Sequence, residues 1–211
     1  MISYIDDQYA SSQKSIIMSS ESESEQLRAA VFRLGEELGK RLVELYFLEP
    51  TEIRTPMKAC VRRSLPKIPL CSIITTRDDF EYLGKGMARV LDNSIMGYMD
   101  FEGQRGIQAL NAQITHMELP EPIGQHVDTL VIGKAVLATG CTAIHLAKTV
   151  FGKYLPRRVV ISSLFYSEQG VADLMHEIPN ADLILVGEPD TIDDNGMLVP
   201  GVGNLDKRLA G

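Results

Sequence analysis

The amino-acid sequence predicts an α/β fold in which a mostly parallel sheet is flanked by helices. Between residues 127 and 186, apolar runs of strand length alternate with helical patterns, which gives the order β-α-β-α-β. Strands that are joined by helices pair in parallel, and the helices cover both faces of the sheet. The chain has 211 residues and 45% hydrophobic content, which is enough for one sizeable core, so we expect a single main domain.

The composition argues against several classes of partner. The formal net charge is −7 and no basic stripe is evident, so we expect no nucleic-acid partner. No apolar run reaches the roughly 18 residues of a membrane span, and the N-terminus lacks a signal-peptide pattern. The three cysteines and four histidines are too scattered for a disulfide framework or a zinc site. We therefore expect reduced thiols, no protein-bound metal and a cytoplasmic location.

The N-terminal part divides into a polar segment and a long helix. Residues 1–25 are rich in Ser and Glu and are expected to form an arm or disordered tail, in which residues 16–18 could dock on a partner subunit. Residues 27–48 carry apolar side chains at the spacing of one helix face. Gly35 and Gly39 weaken this helix intrinsically, which indicates close packing against a neighbouring element.

The middle of the chain opens with the most basic stretch of the sequence, residues 51–69. Its charges fit a solvated face, but they could also favour an anionic substrate. In chain order, the following predicted elements are a strand at 69–74, a helix at 83–91, a strand at 94–99, a polar loop at 100–106 and a strand at 112–119. Arg77 lies just beyond the first of these strands, at the edge of the sheet where ligands bind.

A strand, a tight turn and a helix N-terminus meet at residues 139–143. The first turn of a helix has unpaired N–H groups and partial positive charge, so this geometry suits a phosphate monoester. Gly140 lets the backbone come close, while Thr139 and Thr142 offer hydroxyl groups, and either threonine could instead cap the helix. The alternative is a capped turn that binds nothing. Cys141 could be a reactive thiol at the helix N-terminus, or simply a buried small residue.

The C-terminal segment, residues 188–211, is termed the hood. Asn195-Gly196 is a turn signal, and the stretch that follows is interrupted by Pro200, Gly201 and Gly203. Such a stretch cannot be an ordinary central strand. Its backbone is free to hydrogen-bond a flat ring, although an edge strand that ends in a loop is the alternative.

Three segments together resemble one known family. Residues 136–143 read VLATGCTA, residues 165–171 read FYSEQGV, and residues 195–211 read NGMLVPGVGNLDKRLAG. They are similar, in order and spacing, to the LATGGSA phosphate loop, the APEGI turn and the NxxGYIVPGLGDAGDRxFG close of uracil phosphoribosyltransferases. The resemblance implies a type I phosphoribosyltransferase fold for residues 26–211, including the hood.

This resemblance also implies a reaction and its binding residues. The ribosyl group of 5-phosphoribosyl diphosphate passes to N1 of uracil or a related ring, as in pyrimidine salvage, and Mg²⁺ accompanies the diphosphate without direct protein ligands. The implied phosphate-binding residues are Thr139, Gly140, Cys141, Thr142 and Ala143. The implied base-binding residues are Met197, Leu198, Val199, Pro200, Gly201 and Gly203. Family members are commonly dimers, so a homodimer or higher homo-oligomer is expected, with the helix at 27–48 as a candidate contact.

The sequence departs from the family at the diphosphate and ribose contacts. Gly133-Lys134 aligns with an Asp-Pro pair that contacts the ribose hydroxyls in the family, so that carboxylate is missing. The family's diphosphate turn aligns poorly with Arg77, the Arg of its flexible loop is best replaced by Arg105, and an Asp of the hood is Asn204. Arg77, Arg105 and Asn204 are therefore the candidate catalytic residues.

These departures leave alternatives open. The chain is either a divergent phosphoribosyltransferase or a catalytically inactive homologue that binds a nucleotide or pairs with an active subunit. A further alternative is a different enzyme that acts on a ribosyl phosphate.

Overall fold

The computed structural model describes residues 1–101, 113–122 and 126–211. The strands are β1 (Ile2–Ile5), β2 (Leu48–Arg54), β3 (Cys60–Pro66), β4 (Cys71–Thr76), β5 (Ser94–Phe101), β6 (Ile114–Glu118), β7 (Thr129–Gly133), β8 (Val136–Leu137), β9 (Arg158–Ser163), β10 (Phe165–Tyr166), β11 (Asp182–Val186), β12 (Thr191–Ile192) and β13 (Leu198–Val199). The helices are α1 (Gln8–Met18), α2 (Ser24–Tyr46), α3 (Arg77–Asp79), α4 (Lys85–Val90), α5 (Cys141–Tyr154), α6 (Glu168–Glu177) and α7 (Leu205–Ala210), with a π-helical turn at Phe80–Gly84 between α3 and α4.

A seven-stranded sheet confirms the predicted α/β class. Its strand order is β1-β11-β9-β7-β4-β5-β6, and every neighbouring pair is parallel except β5 with β6. Successive residues of a strand point to opposite faces. In β4, for example, Ile73 enters the core beneath α1, α2, α4 and α7, while Ile74 enters the core beneath α5 and α6. The sheet is therefore buried on both faces, as its near-continuous apolar strands require.

Residues 1–25 were expected to form an arm or a disordered tail, but they contribute a strand and a helix to the main sheet and core. Strand β1 extends the edge of the sheet by pairing in parallel with β11, and its burial alternates along the strand. Helix α1 follows and is capped by the Asp7 carboxylate, which accepts a hydrogen bond from the Ala10 N–H group at 2.8 Å. Ile17, a candidate contact with a partner subunit, is fully buried in the core of its own chain. The Ser- and Glu-rich run that follows α1 makes the average composition of residues 1–25 polar. This average hides the short amphipathic strand and helix that precede the run.

The close packing predicted from Gly35 and Gly39 is confirmed. A Cβ atom on Gly35 would lie 2.6 Å from the Leu83 carbonyl oxygen, and one on Gly86 would lie 2.3 Å from the Phe32 carbonyl oxygen. Helices α2 and α4 thus touch backbone to backbone, which only residues without side chains allow. This contact fixes the helical segment that follows β4, and with it one side of the sheet edge.

The basic stretch forms an antiparallel hairpin of β2 and β3, in which Glu52 lies opposite Arg62. Most of its side chains are exposed. The hairpin is separate from the central sheet and does not line the cleft described below.

None of the described helices is long and apolar enough to cross a membrane.

Candidate active site

A cleft of about 380 Å³ opens where the carboxyl ends of three central strands meet the hood. The described residues that line it are Thr76, Asp78, Met99, Asp100, Phe101 and Lys134 near the strand ends, Val136, Leu137, Ala138, Thr139, Gly140, Thr142 and Ala143 in the turn, and Asn195, Gly196, Met197, Leu198, Val202, Gly203, Leu205 and Asp206 in the hood. The turn and the hood are separated by more than fifty residues in the chain, yet they face one another across this space.

The turn before α5 has the geometry of an anion site. Gly140 has a φ of 72° and is the N-cap residue, and its carbonyl oxygen accepts the first helical hydrogen bond from the Ile144 N–H group at 2.9 Å. Neither Thr139 nor Thr142 occupies the N-cap position. Because Gly140, Thr142 and Ala143 line the cleft, the uncapped start of α5, with its unpaired N–H groups and positive dipole end, borders the cleft and could hold an anion there.

The segment 165–171 braces this turn from behind and does not line the cleft. The Ser167 hydroxyl donates a hydrogen bond to the Ala138 carbonyl oxygen at 2.5 Å and accepts one from the Gly170 N–H group at 2.8 Å. A Cβ atom on Gly170 would lie only 2.3 Å from the Ala138 carbonyl oxygen. Residues 165–171 therefore support the turn rather than face a ligand.

A compact turn shapes the hood. The Asp193 carboxylate accepts hydrogen bonds from the N–H groups of Met197 at 2.8 Å and Asn195 at 2.9 Å, and these bonds lower the pKa of Asp193. Strands β12 and β13 pair in antiparallel fashion on either side of it. The turn therefore holds the backbone of residues 195–198 along the cleft wall.

The structure divides the six predicted base-binding residues into two groups. Met197, Leu198 and Gly203 line the cleft, whereas Val199, Pro200 and Gly201 do not. Val199 is 47% exposed. A Cβ atom on Gly201, where φ is 59°, would lie 2.0 Å from the Leu198 carbonyl oxygen, so this glycine shapes the hairpin. Similarly, Cys141 does not line the cleft, because its side chain is buried beneath the turn.

The charged groups of the cleft are unevenly distributed. Among its described lining residues, Lys134 is the one cationic side chain, whereas Asp78, Asp100 and Asp206 are acidic. Burial, with Asp206 and Asp79 nearby, raises the pKa of Asp78. In the part of the chain that the structure describes, no group of three His, Cys, Asp or Glu side chains could hold a metal ion.

The sequence pattern of one family, described as uracil phosphoribosyltransferase, matches residues 4–211. The chain belongs to the uracil phosphoribosyltransferase family. A uracil phosphoribosyltransferase of Sulfolobus acidocaldarius is 26% identical over 194 residues, which cover 87% of each chain. One of Natronomonas pharaonis is 33% identical over 84 residues, covering 40% of this chain and 38% of that protein. The solved structure of the AQ2163 protein from Aquifex aeolicus has the same fold, with a TM-score of 0.80 at 23% identity, over 99% of this chain and 97% of that one.

Two of the three predicted catalytic residues, Arg77 and Asn204, lie in the described part of the chain. Arg77 lies outside the cleft lining, where its guanidinium pairs with the Asp100 carboxylate at 3.5 Å and lies 5.5 Å from the centre of the Tyr98 ring. Asn204 caps α7 by accepting a hydrogen bond from the Lys207 N–H group. Arg105 lies outside the described residues. The structure thus places neither Arg77 nor Asn204 on the cleft wall.

The predicted site residues do not include the four charged residues on the cleft wall, Asp78, Asp100, Lys134 and Asp206. The sequence marks Lys134 only as a departure from the family's Asp-Pro pair. The position of Lys134 at the end of a buried strand was a usable signal, since charged residues there face the ligand edge of a parallel sheet. Asp206 offered no such signal, because its exposure to the cleft depends on how α7 packs.

Proposed function

We propose that this chain transfers the phosphoribosyl group of 5-phosphoribosyl diphosphate to N1 of uracil, which gives UMP and diphosphate, as in pyrimidine salvage. The bond between C1 and the diphosphate oxygen breaks and its electron pair leaves with the diphosphate, N1 forms the new bond to C1, and the N1 proton passes to the diphosphate or to water. Membership in the family supports this reaction. The observation that carries it is the single cleft shared by the turn at Thr139–Ala143 and the hood.

Each end of the substrate pair has a suitable counterpart in the cleft. The N–H groups at the start of α5 and the hydroxyls of Thr139 and Thr142 bind the 5-phosphate. The backbone of Met197 and Leu198 binds the polar edge of uracil, and the Leu198 side chain packs beside the ring. With both ends fixed, N1 and C1 are held in line for reaction, so catalysis depends on positioning and on stabilisation of developing charge.

Mg²⁺ enters this proposal as part of the donor and not as a resident metal. A magnesium ion bound to the diphosphate neutralises the charge that gathers on the leaving group. The carboxylates of Asp78, Asp100 and Asp206 lie around the cleft and are oxygen ligands of the type that Mg²⁺ or its bound water accepts.

We also propose that the protein is cytoplasmic, because Cys60, Cys71 and Cys141 are all free thiols.

The test is product formation from uracil and 5-phosphoribosyl diphosphate with Mg²⁺, followed by chromatography of UMP. Replacing Thr142 with valine removes one hydroxyl of the proposed phosphate site at nearly constant volume. We expect the Kd of UMP to rise roughly tenfold, the effect of one hydrogen bond to a charged group. In the same helix, Thr149 bonds the His145 carbonyl oxygen outside the cleft, so Thr149→Val is the matched control.

The outcomes separate the proposed enzyme from the alternatives. Formation of UMP, with weaker UMP binding in Thr142→Val only, supports the transferase. UMP binding without turnover would instead identify an inactive nucleotide-binding homologue. Absence of both turnover and binding would contradict the function assigned to the cleft.

We also infer that a second copy of the chain covers the β2–β3 hairpin. Two isolated strands are marginally stable in water, and this hairpin exposes Leu48, Met57 and Leu65. The helix at 27–48 is a weaker candidate for the contact than expected, because its apolar face packs inside its own chain.

Sedimentation equilibrium is expected to give at least twice the 23.3 kDa chain mass. Leu65 lies opposite Glu49, so Leu65→Lys keeps a favourable pair within the hairpin while removing the apolar contact, and it should weaken self-association. Phe151, an exposed residue of α5, provides the control Phe151→Lys. A monomeric wild-type protein would contradict the inference.

A further inference from the structure

A buried ion pair joins two strand ends at the floor of the cleft. The Lys134 ammonium lies 2.5 Å from a carboxylate oxygen of Asp79, and the side chains are 15% and 1% exposed. The same carboxylate oxygen accepts a hydrogen bond from the Thr76 hydroxyl at 2.8 Å. Lys134 follows β7 and Asp79 follows β4, so the pair connects the neighbouring strands that flank the ligand edge of the sheet.

Stability alone does not account for this pair. Removing two charges from water costs free energy, and apolar residues of similar size often stabilise a protein at least as well as a buried ion pair. Asp79 and Asp206 outweigh the effect of burial on Lys134 and raise the pKa of Lys134, so the group carries its charge at neutral pH. A charged ammonium at the cleft wall therefore points to a role toward a ligand.

The ammonium group has hydrogen atoms to spare. An ammonium group has three donors, and one of them is directed to Asp79. Lys134 also lines the cleft, so its remaining donors are available to an oxygen of a bound molecule. Its partner lies on the turn after β4, whereas the 5-phosphate site lies at the start of α5. The ammonium thus lies on the side of the cleft that the ends of β4 and β7 form.

We propose that the Lys134 ammonium binds an oxygen of the diphosphate group of the donor, while Asp79 holds the lysine side chain in place. This inference rests on the proposed function, because it takes 5-phosphoribosyl diphosphate as the donor. Among the described residues of the cleft wall, Asp78, Asp100 and Asp206 are acidic. Without Lys134, no described cationic side chain on the wall would balance them. Lys134 therefore supplies the charge compensation that admits a diphosphate to an acidic cleft.

The experiment is calorimetric titration with 5-phosphoribosyl diphosphate, inorganic diphosphate and UMP, each without Mg²⁺ and then with it. The variant is Asp79→Asn with Lys134→Met, which removes both charges and leaves no buried charge unpaired. Without Mg²⁺, we expect affinity for both diphosphates to fall about 10- to 100-fold, the effect of losing a hydrogen bond between charged groups. Affinity for UMP, which has no diphosphate, is expected to remain unchanged.

Two further variants control this measurement. Lys148→Met with Glu177→Gln removes a surface ion pair with the same zero change in net charge, and all three affinities should remain those of the wild type. Lys134→Arg keeps the cation and should recover part of the lost diphosphate affinity. Thermal unfolding of each variant checks that the fold is retained.

The proposal is overturned by equal losses for UMP and the diphosphates, by unchanged diphosphate affinity, or by no diphosphate binding to the wild type. Its failure is distinguishable from failure of the proposed function. If the wild type forms UMP and the double variant binds every probe normally, only the proposed role of Lys134 is contradicted. If the wild type forms no UMP and the double variant binds the diphosphates selectively less well than the wild type, only the proposed transferase activity is contradicted.

Discussion

Replacing Gly140 with alanine is expected to lower kcat/KM for UMP formation by about 100-fold, the cost of misplacing a binding group by roughly 1 Å. The backbone at Gly140 has a φ of 72°, which an alanine adopts only with strain. The new Cβ atom would also lie 2.8 Å from the Gly170 carbonyl oxygen. Gly170 is itself packed against the Ala138 backbone, so neither side can yield, and the N–H groups at the start of α5 must move.

The same helix provides a matched control for this substitution. A Cβ atom on Gly152 would meet nothing within 4 Å, so Gly152→Ala should leave activity intact and slightly strengthen the helix. Steady-state kinetics with both substrates and UMP titration would measure the effects. Gly140→Ala with normal kinetics and normal UMP affinity would show that the start of α5 does not hold the 5-phosphate.

Replacing Gly86 with alanine is expected to lower the free energy of unfolding by about 3 kcal/mol, the upper part of the usual range for overpacking. The new Cβ atom would lie 2.3 Å from the Phe32 carbonyl oxygen and 3.0 Å from the Gly35 Cα atom. Alanine favours a helix over glycine by roughly 1 kcal/mol, so helix propensity alone predicts the opposite sign. Forced separation of α2 and α4 outweighs that gain, because the obstructing atoms belong to the backbone.

Urea unfolding and thermal melting would measure this effect. In a chain of this size, the expected loss corresponds to a fall in Tm of roughly 6–12 °C. Gly39→Ala is the graded control, because its Cβ atom would meet the Val90 side chain at 3.0 Å and the Met87 carbonyl oxygen at 3.1 Å, a less severe contact. Equal stability of Gly86→Ala and the wild type would be incompatible with the helix contact.

Much of the fold could be predicted because the signals are local. The apolar strands β4, β7, β9 and β11 are buried on both faces, so each reads as a nearly unbroken apolar run. The N-terminal strand and helix could not be recognised in this way. They are stabilised by pairing with β11 and by burial of Ile17, and both contacts join parts of the chain that are distant in sequence.

The candidate site was predictable in its backbone and less so in its side chains. Gly140 and the Asn195-Gly196 turn have sequence signals because positive φ angles and tight turns restrict the residue type. The predicted roles of Arg77 and Asn204 had no such restriction, and the structure directs these side chains to Asp100 and to the α7 cap. A polar side chain bonds the groups that the assembled chain places beside it, so its partners depend on the tertiary structure.

The order of residues along this chain is sufficient for the α/β class, the tight turn before α5 and the C-terminal hairpin, because each follows from short-range sequence signals, and its motifs are sufficient for the family. The arrangement of charges around the cleft is decided only by the tertiary structure. Lys134 and Asp79 are 55 positions apart and meet only when β4 and β7 pair, and Asp206 reaches the same space through the packing of α7. Interactions between distant charges depend on distance in space, which spacing in the sequence does not specify.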